Sequence, residues 1–203
     1  MRHLDRFGSL PDGFVGAMMH LLEDGELFPR IAEVGSRLVL TIRPAPPARC
    51  ATRLTFIEQA PDPRTQPLVK GPDFGALAAY RAAHQLPDTD DTIIVGPKGE
   101  MLETTTGALV AWDAGTLIVP AGTWLPSITS AQITARARQL GLKVDTRPLY
   151  PGDGLPLWFA SSLHGISPVR QIVGDSFSSP PPHPEEKAWQ QWWWDSFHPV
   201  AEP

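Results

Sequence analysis

The chain has 203 residues, 17 Lys and Arg against 22 Asp and Glu, a net charge of −5 and a hydrophobic fraction of 42%. That charge balance argues against a nucleic-acid surface, which needs clustered cations to displace counterions, and no run of about 20 apolar residues is present to cross a bilayer as a helix. The opening MRHLDRFGSL has no apolar signal core and the single cysteine, Cys50, can form no internal disulfide, so a cytoplasmic, reducing compartment is expected.

Phe14–Leu22 has helix-like apolar spacing and ends in the acidic turn Glu23-Asp24-Gly25. Two extended segments follow, Leu27–Val34 and Arg37–Arg43, joined by Gly35-Ser36, which suits a tight hairpin because glycine tolerates positive φ. After the Pro44–Pro47 turn comes a third strand, Thr52–Gln59, and residues 1–60 read as a small α+β unit. The proline-rich, polar stretch 61–68 reads as a linker.

Asp73–Leu86 is alanine-rich at helical spacing. Short strands then succeed one another at Asp91–Val95, Met101–Thr105, Ala108–Trp112 and Thr116–Val119, separated by glycine-containing turns. A helix over Thr129–Leu140 is closed by Gly141, and strands at Lys143–Pro148, Leu157–Ser161 and Val169–Val173 complete a domain spanning 69–175. The tail, 176–203, opens with prolines and becomes helical over Glu185–Phe197. There Trp189 and Trp193, four apart, share a face that docks on the domain or meets a partner.

Four pieces carry chemistry. They are Val69-Lys70-Gly71-Pro72-Asp73 before a helix, and Gly99 to Thr106 with Glu103 on a strand. Then come Leu125-Pro126-Ser127-Ile128-Thr129 at a helix entry, and Ser161-Ser162-Leu163-His164-Gly165 leading to Pro168-Val169. A lysine that condenses with an aldehyde needs a neutral amine, favoured by desolvation, and Lys70 has apolar and proline neighbours with no acid before Asp73. Backbone N–H groups at a helix start, as at Ile128 and Thr129, suit a phosphate. The six histidines are scattered, with no pair four apart, so a metal hydrolase finds no support.

In this order, and with 33 positions between Lys70 and Glu103 (103 − 70), the pieces resemble the large-domain half of the class IV aminotransferases from about Pro67 to Gly174. That family includes branched-chain aminotransferase, D-amino-acid aminotransferase and aminodeoxychorismate lyase, the fold type IV enzymes of pyridoxal 5'-phosphate. The resemblance implies an α+β chain with a small, incomplete N-terminal unit and a larger barrel-like C-terminal domain. It implies Lys70 as the catalytic amine and Glu103 as partner of the cofactor's ring nitrogen. Ile128, Thr129 and Ser162 would be phosphate ligands, and the backbone of Leu163 and His164 would face the substrate carboxylate. The segment His3-Leu4-Asp5-Arg6-Phe7 is similar to a small-domain helix whose arginine contacts the phosphate, which makes Arg6 a ligand. Arg30 matches a pocket-lining position, and Arg43, one strand later, is a looser candidate for a carboxylate.

The chain departs from the family pattern at several places. Family members have several strands before the HLDRF-like segment, so an N-terminally shortened form is expected. Ser127 and Ser130 stand where glycine and arginine flank the Ile-Thr pair, Ala108 where an asparagine is usual, and the 3'-oxygen partner near the lysine has no counterpart. Three functions stay open: a homodimeric aminotransferase acting on an amino acid and a 2-oxo acid, a lyase releasing pyruvate, and a non-catalytic remnant that binds a partner.

Overall fold

The computed structural model describes residues 3–22 and 25–197, in two compact units that divide between Ala48 and Arg49. The N-terminal unit has a 3-10 turn at Leu4–Phe7, helix α1 (Phe14–Leu21) and an antiparallel hairpin of β1 (Arg30–Val34) and β2 (Arg37–Thr41). Val34 pairs with Arg37 across the two-residue turn, where Gly35 takes the positive φ of 62° that the tight reversal needs.

The second unit is built on one eight-stranded sheet. Its strands are β3 (Thr52–Phe56), β4 (Asp91–Val95), β5 (Met101–Thr104), β6 (Ala108–Asp113), β7 (Thr116–Pro120), β8 (Val144–Arg147), β9 (Leu157–Ser161) and β10 (Gly165–Gly174). Their order is β5-β4-β3-β10-β9-β6-β7-β8, with β3 parallel to both neighbours, β7 parallel to β8 and the remaining pairs antiparallel. The sheet curls so that β5 also packs against β6 and β7. Three helices accompany it: α2 (Phe74–His84), α3 (Ile128–Gln139) and α4 (Glu186–Asp195). The fold is α+β with a barrel-like larger domain, as the resemblance implied.

Side-chain alternation divides the core between the two faces. Leu109, Ala111, Leu157 and Phe159 join Leu54, Ile93, Met101 and Ile172 on one side, whereas Val110, Trp112, Trp158 and Ala160 meet Ile133, Ala137, Trp189 and Trp193 on the other. Because both faces are covered, β6 and β9 read as unbroken apolar runs. A fully buried side chain such as Leu54 contributes about 1.5–3 kcal/mol by leaving water.

The strand at Thr52–Phe56 corrects the expected small N-terminal unit of residues 1–60. It lies in the middle of the eight-stranded sheet, between β10 and β4, rather than beside the β1–β2 hairpin. Both partners are distant in sequence, and the Thr52 and Ser167 hydroxyls meet at 2.8 Å across the β3–β10 seam. Strand β10 begins at Gly165, earlier than the expected Val169. Pro168, which lacks an N–H, is tolerated because β10 pairs with β3 only from Val169 onward.

The tail helix docks as its tryptophan spacing suggests. Trp189 and Trp193 are buried against β10 and the outer core. Glu186 holds Arg170, and the Gln190 amide donates to the carbonyls of Ile166 at 3.0 Å and Cys50 at 3.1 Å.

Candidate functional site

Glu103 lies on β5 opposite Ile94 of β4 and is 7% exposed. Its Oε1 accepts hydrogen bonds from the Leu125 amide, at 3.2 Å, and from Nη1 of Arg64. Burial pushes the Glu103 carboxyl above the usual carboxylate range, and Arg64 with the Leu125 amide draws it part of the way back.

Arg64 comes from the stretch expected to be a solvated linker, yet its side chain is 3% exposed. All three guanidinium nitrogens are engaged. Nε and Nη2 donate to Asp62 at 2.9 and 2.6 Å, Nη2 also reaches the Thr123 carbonyl at 3.0 Å, and Nη1 takes Glu103. Burial alone would lower the Arg64 pKa, but its bonds and charge contacts with Asp62 and Glu103 outweigh it and hold the guanidinium above its ordinary value. The short interval Asp62-Pro63-Arg64 folds the carboxylate back onto its own neighbour, a local geometry that composition does not reveal.

Immediately after Arg64 the chain forms a loop closed by Asp73, whose carboxylate accepts the Thr65 amide (3.1 Å), the Thr65 hydroxyl (2.8 Å) and the Gln66 amide (2.8 Å). Lys70 sits on this loop and is exposed, with Nζ 5.6 Å from the centre of the Phe74 ring. The desolvated setting expected for Lys70 is therefore corrected: Leu68 and Val69, apolar neighbours in sequence, are themselves 62% and 52% exposed. Apolar flanks bury an amine only if they pack over it.

The third piece meets the second at Glu103. Leu125 donates to that carboxylate, and two residues later Ser127 caps α3, its Oγ accepting the Ser130 amide at 3.2 Å. The helix starts at Ile128. The amides of Ile128 and Thr129 therefore fall in the first turn, where no intrahelical carbonyl can take them. Such donors, aligned with the helix dipole, are suited to an anion.

The fourth piece is the turn between β9 and β10, with Ser162 exposed and Leu163 and His164 half-buried. The His164 amide donates to Ser161 Oγ at 3.1 Å, while its ring Nδ1 accepts the Arg49 amide at 3.1 Å, which assigns the ring proton to Nε2. Burial, then the charge of Arg49, pushes the imidazole pKa down to about 4, so it is neutral above that. Arg49 itself lies over the Phe159 ring at 5.0 Å and donates to the Asp90 carbonyl at 3.2 Å.

Glu103 thus joins the segment before Lys70, through Arg64, to the approach of α3, through Leu125, and the Ser162–His164 turn is held by Arg49. Arg6, Arg30 and Arg43 belong to the N-terminal unit and are exposed, Arg6 in the 3-10 turn and Arg30 at the first position of β1; Arg43 lies 5.3 Å over Phe28. Arg64, Arg49 and Asp91 escaped the sequence reading. Asp91 is fully buried and gathers the Thr104, Thr105 and Thr106 hydroxyls and the Thr106 amide, folding the turn that follows Glu103. The run of three threonines was the available signal. Among the described residues no helix is long and apolar enough to cross a membrane, and no group of three or more His, Cys, Asp or Glu is placed to hold a metal ion.

The family model of class IV amino-transferases matches residues 12–172. No curated protein matches the chain. Among solved structures, the fold is similar to a branched-chain aminotransferase of Thermoproteus uzoniensis with norvaline (14% identity, TM-score 0.67), covering 77% of this chain and 55% of that one. It is similar to 4-amino-4-deoxychorismate lyase of Pseudomonas aeruginosa (18%, TM-score 0.67), covering 79% and 62%. It is also similar to the branched-chain amino acid aminotransferase of Escherichia coli (20%, TM-score 0.64), covering 81% and 57%. The likeness is one of fold, and the chain spans less than two thirds of each of these structures.

Proposed function

The chain belongs to the class IV amino-transferase family, and from that premise we propose that it binds pyridoxal 5'-phosphate and moves an amino group between an amino acid and a 2-oxo acid. The observation that carries this reading is the junction at Glu103, a buried carboxylate bonded both to the segment before Lys70 and to the approach of α3. These residues fit the cofactor: a carboxylate for a protonated ring nitrogen, a helix N-terminus for a phosphate, and an amine on the loop that Asp73 closes after Arg64.

When bound, the cofactor supplies an aldehyde carbon for the amine and a ring that withdraws electrons from the substrate. Lys70 would give the amine that holds it and would carry the proton to and from the substrate α-carbon. Glu103 would accept the hydrogen bond of the ring nitrogen and keep that nitrogen protonated. The amides of Ile128 and Thr129 and the Ser162 hydroxyl would hold the phosphate. The Leu163 amide would receive the substrate carboxylate, the His164 amide being engaged by Ser161 Oγ, and a homodimer belongs to the same reading.

The test is to incubate the chain with pyridoxal 5'-phosphate, reduce with borohydride and map the adduct by peptide mass spectrometry. Modification at Lys70, absent in Lys70→Ala, is expected. Modification spread over surface lysines, or none, overturns the reading and leaves a binding protein. Elimination of pyruvate is the second reading, supported by a fold likeness to lyases at least as strong as that to the aminotransferases. Pyruvate released from aminodeoxychorismate, against amino transfer from D-alanine or branched-chain amino acids, separates the two.

A further inference from the structure

We propose that Asp62, Arg64 and Glu103 form a positioning triad in which Arg64 keeps Glu103 ionised and aimed, leaving one uncompensated negative charge for a protonated ring nitrogen. The inference rests on the reading of Glu103 given above and adds to it two residues that no catalytic role has claimed.

A guanidinium with only 3% of its side chain exposed must be fully bonded, and Arg64 is. Two of its nitrogens take both oxygens of Asp62, so its positive charge is largely answered there. The triad sums to −1, and the surplus lies on Glu103, the more buried of the two carboxylates. An apolar ring with one cationic N–H complements that surplus.

Geometry assigns the division of labour. Arg64 is fixed from three directions, by Asp62, the Thr123 carbonyl and Glu103, so it cannot swing to follow a mobile carboxylate. Arg64 and the Leu125 amide converge on Oε1, and neither takes Oε2. A carboxylate has about four acceptor positions, so one oxygen can be held while the other serves a third partner. Asp73 and Tyr80 also feel this cluster; the Tyr80 hydroxyl, pushed up to about 12 chiefly by burial, stays neutral.

The experiment compares wild type, Arg64→Met, Arg64→Lys, Glu103→Gln and the double variant Arg64→Met/Glu103→Gln. Without cofactor, Arg64→Met leaves Glu103 buried beside Asp62 with no cation. Its melting temperature is expected to fall further at about pH 8 than at about pH 5.5, where the carboxyl can take a proton. Adding Glu103→Gln should recover part of that loss and flatten its pH dependence, while Arg64→Lys should fall between. With cofactor, followed by tryptophan quenching, Arg64→Met should weaken binding about tenfold or more, the worth of one charge-assisted bond. The 15N shift of ring-labelled pyridoxal 5'-phosphate should move toward the unprotonated form.

A loss in Arg64→Met that is equal at both pH values and unchanged by Glu103→Gln overturns the triad, because Arg64 would then be packing alone. An unmoved 15N shift in Arg64→Met, with a shift that does move in Glu103→Gln, overturns its influence on the ring. If Glu103→Gln itself changes neither affinity nor shift, the parent reading of Glu103 fails. The cofactor-free comparison still decides whether Arg64 holds the carboxylate ionised.

Discussion

Gly165 lies directly beneath Trp193: its backbone has φ +63°, and a Cβ there would come within 2.5 Å of the tryptophan Cε3. The last helix thereby rests on the residue that follows His164, and Gln190 grips the Ile166 carbonyl one position further on. Helix α4 is a brace for the turn that carries Ser162, Leu163 and His164.

Gly165→Ala tests that brace. Left-handed backbone costs a non-glycine residue about 1–2 kcal/mol and forcing a methyl into a packed core about 1–3 kcal/mol, so a loss of roughly 2–5 kcal/mol is expected. Urea unfolding measures it, and tryptophan emission should shift to the red as Trp193 is displaced. A change under about 0.5 kcal/mol would mean that the helix yields freely.

His164 predicts a pH dependence. Its folded pKa is depressed to about 4 by burial and by Arg49, below the ordinary 6.5. Between those values the unfolded chain holds a proton that the folded chain does not, so stability falls as the pH drops through that window. His164→Gln should flatten the acid limb between about pH 6.5 and 4. His183, stacked on Trp112 and depressed mainly by its own burial, keeps a residual slope. Denaturation midpoints at several pH values give the comparison, and an unchanged slope would assign the effect elsewhere.

The loop bearing Lys70 depends on Asp73. The Gln66 amide first, then the Thr65 hydroxyl, hold the Asp73 carboxyl below its ordinary range. A depressed acid stabilises the fold above its unfolded value and surrenders that as the pH falls through its folded one. Asp73→Asn replaces one acceptor with a donor facing these groups. Hydrogen exchange at Thr65 and Gln66 should accelerate about tenfold, and protease cleavage should appear between residues 66 and 72. Equal exchange would show that the loop is closed by other means.

Much of the fold was legible locally. Short apolar runs between glycine-containing turns located β4, β5, β6, β7 and β9 to within a residue, and Gly141, at φ +73°, closes α3 where its cap was expected. The spacing of Trp189 and Trp193 foretold a docked face. The misreadings were tertiary. Prolines around Arg64 look like a solvated connection until Asp62, Thr123 and Glu103 surround the guanidinium. Lys70 looked desolvated because Leu68 and Val69 adjoin it, yet both are more than half exposed. Glu103 was singled out by the resemblance and its interval from Lys70, but its partners, Arg64 and Leu125, lie 39 positions before and 22 after it.

The seating of β3 between β10 and β4 sets the timetable of folding. The strand at Thr52–Phe56 emerges from the ribosome early, but its β10 partner follows more than a hundred residues later, as the 115-residue span from Thr52 to Ser167 records. Until then one edge of β3 stays open, and contacts of such long range slow closure. Assembly of the central seam is therefore expected to wait until β10 has been synthesised. Fragments ending before Gly165 would expose an adhesive edge.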